Sequence, residues 1–351
     1  MKLRSSGAMK SSTVLVLLIL VVATKGLGQV RQLQLKQGSS YIHSLSFTHN
    51  GKQLLSASLD GTIAKWNLVN GERIEFFDLD QRKSREKYTI SHIYEMNVSP
   101  NADIISISYA QTSVINEVLQ DDTMYKTALI DVASLQTKVV LQNARSEMAF
   151  SPDGKILVTI GAEKIARIWD VNDGKEIKQF SVRNIGKPVF TPDGKSLVVA
   201  SQRGWASTGL MIVVYDLSSN KVIQEIPERD GQITGVAVSP KGKTIAVGAY
   251  NGGNFSLKLW SLAKSDKPKP QELLTKNSCL GYNIVFSSDA RLLASSGLLN
   301  CCETVVVRRV LDNKAIKTFV ASSEIKSIAF SPDGSRLVYG TNNGEIFVKK
   351  L

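Results

Sequence analysis

The sequence predicts an all-β fold: a seven-bladed propeller of four-stranded antiparallel blades, its ring closed by an N-terminal strand. Three observations predict it. A four-residue turn recurs seven times, its copies lie forty to fifty-two residues apart, and the last unit lacks a fourth strand while a spare alternating strand precedes the first. A period of about 20 to 50 residues marks architectures in which one supersecondary unit is stacked on its neighbours.

The turns are Thr48-His49-Asn50-Gly51, Ser99-Pro100-Asn101-Ala102, Ser151-Pro152-Asp153-Gly154, Thr191-Pro192-Asp193-Gly194, Ser239-Pro240-Lys241-Gly242, Ser287-Ser288-Asp289-Ala290 and Ser331-Pro332-Asp333-Gly334. Each follows an apolar landmark, in order Phe47, Val98, Phe150, Phe190, Val238, Phe286 and Phe330, at spacings of 51, 52, 40, 48, 48 and 44. Proline fixes φ and Asn, Asp or Gly supplies the tight bend, so the motif closes a hairpin between strands a and b. Strand b is an apolar run such as Leu197-Val198-Val199-Ala200. Strand c alternates, as in Ile165–Trp169, and ends in Trp66, Trp169, Tyr215 or Trp260. A second turn, such as Asn172-Asp173-Gly174, leads to strand d.

These units resemble the WD-repeat family of β-propellers over roughly residues 30 to 351. Leu54–Asn67 (LLSASLDGTIAKWN) follows the family pattern almost position by position, and Trp169-Asp170 is the one literal Trp-Asp pair. The resemblance implies a hydrogen-bonded set of Ser56, Asp60 and Trp66; the family's Gly-His pair before strand a is absent. Blades 2 and 6 match least, with Ile130-Asp131 and Val310-Leu311 read at the Trp-Asp position. Val30–Leu35 is expected to pair beside Phe347–Leu351, which removes two exposed sheet edges.

Residues 1–28 read as an address and 29–351 as a single domain. Lys2, Arg4 and Lys10 precede the apolar run Val14–Ala23, and small residues follow at Gly26 and Gly28, as in a secretory signal peptide. Ten apolar residues span about half of a roughly 30 Å hydrocarbon core, which disfavours a stable transmembrane helix. Cleavage after Gly28 is expected, with an uncleaved signal anchor as the alternative; the reading is of a secreted or periplasmic, bacterial member of the family. The chain carries +12 overall, and 39 basic against 31 acidic residues once that segment is removed. With 43% hydrophobic and 21% charged residues, the composition excludes a disordered, collagen-like or multi-span membrane chain.

Length variation concentrates at one end of the blades, where b–c and d–a connections emerge together. Blade 2 has a long b–c stretch from Tyr109 to Thr127, blade 4 has Gln202–Gly209, blade 5 Tyr250–Asn254 and blade 6 Gly297–Glu303; the connection Asp78–His92 is long and charged. Function on rigid scaffolds concentrates on such loops. Tyr109, Tyr125, Trp205 and Tyr250 are candidate partner-binding anchors, the alternative being that the rings pack under their own loops. A second candidate set stands four residues before the strand-a landmarks: His43, Tyr94, Tyr282 and Lys326, expected near the channel mouth. On the opposite face Lys52, Lys155, Lys195 and Lys243, with Arg336 nearby, form a ring of basic turn residues that offers an anionic polymer or membrane surface a peripheral contact, or is simply solvated.

Cys279 and Cys301-Cys302 lie at one end of blade 6, so a disulfide from Cys279 to Cys301 or Cys302 is a candidate in an oxidising compartment, beside free thiols. Three histidines, and no nucleophile elbow, zinc-protease motif, P-loop or dinucleotide fingerprint, leave no catalytic, cofactor or metal residues to name. The expected function is a monomeric, non-catalytic scaffold that offers its b–c and d–a face to a protein or peptide, with no nucleic-acid partner. A module for carbohydrate or envelope polymer is the alternative, and a propeller hydrolase or lyase is further behind.

Overall fold

Seven of the fold's turns share a hydroxyl that accepts from the amide five residues on, and four of them add an aspartate. In Ser151–Gly154 the serine hydroxyl donates to Asp153 Oδ1 (2.6 Å) and accepts from the Ile156 amide (3.1 Å), while the Lys155 amide donates to the same carboxylate oxygen (3.1 Å). The fourth turn residue has positive φ in every copy: Gly51, Ala102, Gly154, Gly194, Gly242, Ala290 and Gly334. Directly after each turn a backbone carbonyl accepts from the start of the c–d turn, as in Val171 N to Lys155 O and Leu217 N to Lys195 O, both 2.9 Å.

The structure is a computed structural model and describes residues 33–48, 50–78, 88–115, 118–119, 124–134, 136–142, 147–161, 163–183, 186–200, 210–228, 232–251, 254–263, 270–273, 279–299 and 302–351. These form seven antiparallel blades and no helix. β1 (Leu33–Lys36) precedes blade 1, which is β2 (Ile42–Phe47), β3 (Gln53–Ser58), β4 (Thr62–Asn67) and β5 (Arg73–Asp78). Blade 2 is β6 (Tyr88–Val98), β7 (Ile104–Ile115), β9 (Met124–Asp131) and β10 (Thr137–Gln142), with the short β8 (Val118–Leu119) added on β7. Blade 3 is β11 (Glu147–Phe150), β12 (Ile156–Ile160), β13 (Ile165–Asp170) and β14 (Glu176–Ser181). Blade 4 is β15 (Pro188–Phe190), β16 (Ser196–Ala200), β17 (Leu210–Asp216) and β18 (Lys221–Glu228). Blade 5 is β19 (Gln232–Val238), β20 (Thr244–Asn251), β21 (Asn254–Ser261) and β22 (Gln271–Glu272). Blade 6 is β23 (Cys279–Phe286), β24 (Leu292–Leu299), β25 (Cys302–Arg309) and β26 (Ala315–Val320). Blade 7 is β27 (Ile325–Phe330), β28 (Arg336–Thr341), β29 (Glu345–Lys350) and, from the other end of the fold, β1. All seven apolar landmarks are the last residues of their a strands.

β1 pairs antiparallel with β29, Leu33 opposite Val348 and Lys36 opposite Glu345. The closing strand therefore runs to Lys36, one residue past the expected Val30–Leu35, of which 30–32 lie outside the described residues. Gly344, at φ +81, abuts the Gly38 backbone so closely that a Cβ would stand 2.3 Å from its carbonyl oxygen.

The core is seven seams rather than one centre. Each apolar cluster joins two neighbouring blades. Strand b explains this arrangement: Leu54 packs in the seam between blades 7 and 1, and its neighbour Leu55 in the seam between blades 1 and 2. Leu157 and Val158 divide in the same way between the seams on either side of blade 3. A strand buried on both faces reads as an unbroken apolar run, which is what strand b shows in the sequence.

Several stretches read as loops are strand. β7 has twelve residues against six in β3, and β6 begins at Tyr88, so blade 2 carries an arm about 20 Å longer than a plain blade at the usual strand rise. In blade 5, Asn251 pairs with Asn254, and in blade 6 Leu299 pairs with Cys302. The ladders run this far because the alternating residues on both sides continue the pairing. The pairing of Leu293 with Arg308 likewise puts Arg308-Arg309, not Val310-Leu311, at the Trp-Asp position of blade 6.

Candidate functional site at the channel mouth

The a strands are innermost, and consecutive ones touch around a closed ring: β2, β6, β11, β15, β19, β23, β27 and back to β2. No backbone ladder joins them, so side chains supply bonds between blades. Asn97 Nδ2 donates to Met148 O (3.1 Å), Asn283 Nδ2 to Ile325 O (3.1 Å) and Ser327 Oγ to Ile42 O (2.9 Å). They surround a channel of about 330 Å³ whose polar lining includes His43, Asn97, Lys187, Thr234, Asn283 and Lys326.

The residues read four before each landmark have a common structural identity. In blade 1 the ladder passes from Ile42 to Ser44, skipping His43; in blade 2 it skips Tyr94, in blade 5 Thr234 and in blade 7 Lys326. In blade 6 the skipped stretch between Leu280 and Ile284 contains Tyr282. Each lies in a β-bulge, a device that re-aims a side chain and recurs beside functional sites. The side chains of Tyr94 and Tyr282 lie outside the described residues. Lys326 is engaged: its Nζ is 2.7 Å from Glu324 Oε1 and 5.2 Å from the Tyr41 ring centroid.

One residue further along stands a cluster that the sequence reading passed over. Glu95, Glu147 and Lys187 each lie three residues before a landmark, on blades 2, 3 and 4. Glu95 accepts from the Met148 amide at Oε2 (3.1 Å) and from Asn97 Nδ2 at Oε1 (3.2 Å), and its Oε1 is 3.3 Å from Lys187 Nζ. Burial pushes Glu95 upward against the opposing pull of Lys187 and these donors. Burial, and then the Glu95 charge, push Glu147 up to about 7. The Glu95 charge raises Lys187. The same-offset comparison across blades, taken at minus three instead of minus four, is the signal that finds this set.

The described aromatic candidates are partly buried. Tyr109 is half-buried against the seam of blades 1 and 2, and Tyr125 is half-buried. Tyr250 faces its ladder partner Phe255 with ring centroids 4.5 Å apart, so it covers its own hairpin. Trp205 and Cys301 lie outside the described residues, as does His49; Cys279 opens β23 with its side chain undescribed. Among the described residues no group of three His, Cys, Asp or Glu side chains is placed to hold a metal, and no helix is long and apolar enough to cross a membrane.

The Ser56–Asp60–Trp66 set is joined through Gln37, which stands near where the family pattern calls for a histidine. Trp66 Nε1 donates to Ser56 Oγ (2.7 Å), and Ser56 Oγ donates to Gln37 Oε1. Gln37 Nε2 donates to Thr62 Oγ1 (3.0 Å), and Thr62 Oγ1 to Asp60 Oδ1 (2.6 Å). In blade 3, Trp169 Nε1 donates to Thr159 Oγ1 (2.9 Å), while Asp170 Oδ1 accepts from the Asn172 amide (2.7 Å) and so caps the c–d turn. On the opposite face Lys52, Lys155, Lys195 and Lys243 are exposed. Arg336 is not one of these free tips: it donates to Gly51 O and lies 5.7 Å from the Phe47 ring centroid, tying blade 7 to blade 1.

The fold and its repeat chemistry define a seven-bladed propeller, and comparison with known proteins finds similarity to WD-repeat proteins. The WD domain, G-beta repeat model matches residues 29–67, 144–170, 220–261 and 313–348, less than half of the chain. Relatives include a Protein LST8 homolog of Drosophila melanogaster, 26% identical over 55% of this chain and 65% of its own length. A serine-threonine kinase receptor-associated protein of Dictyostelium discoideum is 24% identical over 62% of this chain and 79% of its own. A p21-activated protein kinase-interacting protein 1-like of Gallus gallus is 25% identical over 54% and 44%. The alignments thus span about two thirds of the first relative and less than half of the last. These matches make the chain similar to WD-repeat proteins over part of its length; the relatives named are eukaryotic and give no support to a bacterial source.

Proposed function

We propose that the protein is a non-catalytic scaffold that seats a protein or peptide partner on the face carrying the b–c and d–a connections, centred on the channel mouth. The observation that carries this reading is the ring of β-bulges at His43, Tyr94, Thr234, Tyr282 and Lys326, on the face from which the blade 2 arm and the blade 5 and 6 hairpins extend. A bulge repeated at one level of five blades serves a shared surface better than it serves five separate sheets. The names of the receptor-associated and kinase-interacting relatives accord with a scaffold role. The signal-like residues 1–28 extend the proposal to an exported protein, which N-terminal sequencing of the purified native protein tests.

The docking face is tested by crosslinking the full chain in its native fraction and identifying captured proteins by mass spectrometry, in parallel with His43→Ala/Lys326→Ala and with Lys155→Ala/Lys195→Ala. The expected result is a defined partner captured by the parent and by the lysine-tip variant, and lost with the channel-mouth variant. Loss with the lysine-tip variant alone overturns the choice of face. Capture of no protein by the parent overturns the scaffold.

A further inference from the structure

The Glu95–Glu147–Lys187 cluster joins three consecutive blades with two carboxylates and a single ammonium. Glu95 has the donors: the Met148 amide, Asn97 and Lys187. Glu147 accepts no side-chain hydrogen bond from the described residues. It opens β11, faces Ile160 of β12 across the ladder, and meets charge only from Glu95 on β6 and Lys187 beside β15. β12 contributes no titratable group. Lys187 holds Glu95 across the intervening blade, yet 52% of its side chain remains open to the channel, so the ammonium is free to redistribute between the two acids.

Two carboxylates sharing one cation in the partly buried channel wall cannot both ionise without leaving a negative charge uncompensated. The proton resides on the carboxyl without donors, which is Glu147. We propose that Glu95, Glu147 and Lys187 form a proton-operated latch across blades 2, 3 and 4. Protonated, the cluster is neutral and Lys187 stays on Glu95, closing the inner ends of β6, β11 and β15. Deprotonated, it carries one net negative charge, Lys187 is drawn between the two acids, and the Glu95–Met148 bond weakens. Glu147 titrating at about 7 puts this change close to neutrality. The latch goes beyond the docking reading and holds whether or not a partner sits above it.

Raised above its ordinary 4.5, the Glu147 pKa makes the proton a stabiliser. That stability is present in full below pH 4.5 and is lost as pH rises through about 7. The test uses carboxyl-carbon NMR titration of the full chain with hydrogen exchange at the Met148 amide, corrected for its intrinsic pH dependence. The expected result is a Glu147 midpoint near 7 that falls toward 4.5 in Glu95→Gln and rises further in Lys187→Gln. Met148 exchange should accelerate between pH 6 and 8 in the parent but not in Glu147→Gln, which keeps the shape and cannot ionise (a window about one unit on each side of the midpoint). A Glu147 midpoint near 4.5 in the parent overturns the latch. So does Met148 exchange with the same pH dependence in parent and Glu147→Gln. If Glu95→Gln fails to fold, the parent and Glu147→Gln still decide.

Discussion

Val247 and Trp260 share the seam between blades 4 and 5, and Val247 occupies the strand-b position from which Ser56 and Thr159 accept the indole N–H of Trp66 and Trp169. With no oxygen at that position, the buried Trp260 Nε1 finds no acceptor among the described residues. Val247→Thr should supply the acceptor and stabilise the protein by about 1 kcal/mol, whereas Thr159→Val should orphan Trp169 and cost about 1–3 kcal/mol. Denaturant melts of both variants check this, and a stabilising Thr159→Val sinks the account.

Ala290 holds the left-handed turn position that glycine fills in five of the seven copies. A left-handed alanine costs about 1–2 kcal/mol, offset in part by glycine's freedom in the unfolded chain. Ala290→Gly should therefore raise stability by about 1 kcal/mol. Ala102→Gly should gain less, because that alanine is buried in the seam of blades 1 and 2 and its methyl packs there. Equal or negative shifts in denaturation midpoint for both variants contradict the turn argument.

Gln37 connects the closing strand to the interior of blade 1. Gln37→Leu leaves the buried Ser56 hydroxyl to donate only over the long bond to Ala64 O (3.4 Å) and removes the donor to the part-buried Thr62. The expected loss is about 3 kcal/mol, from two groups at about 1–3 kcal/mol each. Gln37→His retains a donor and should recover part of it. Thermal melts separate the two.

Asp333 accepts from the Ser331 and Ser335 hydroxyls and the Ser335 amide, which hold its carboxyl down to about 2. A depressed carboxylate stabilises above its ordinary 3.8 and loses that contribution as pH falls toward 2. Asp333→Asn should flatten this part of the acid limb of a melting-temperature profile while lowering stability at neutral pH. An unchanged acid limb contradicts the assignment.

The propeller was legible because its determinants are local. The turn needs a hydroxyl and a left-handed residue within four positions, with an aspartate added in four of the seven copies, and strand b needs apolar side chains on both faces; both signals sit inside short windows. What escaped depends on register. The alternation that extends β7, β20 and β24 continues through residues that composition marks as loop, such as Tyr250 and Gly297. The Glu95–Glu147–Lys187 cluster brings together side chains of three blades, 92 positions apart at the extremes. Only an exact choice of offset along strand a aligns them, and the choice of minus four found the bulges instead. Gln37 escaped because a glutamine stands near where the pattern calls for a histidine, and its contact with Thr62 is made only once β1 has closed the ring.

That closure has a consequence for the order in which the molecule is made. Gln34 of β1 bonds Glu345 of β29 across 311 positions of chain. At roughly 5–20 residues per second of synthesis, the first strand waits roughly 15 to 60 s for its partner to be polymerised. During that interval the earliest piece of sheet has nothing of its own to join, and β27, β28 and β29 decide, on arrival, whether a nascent crescent becomes a ring.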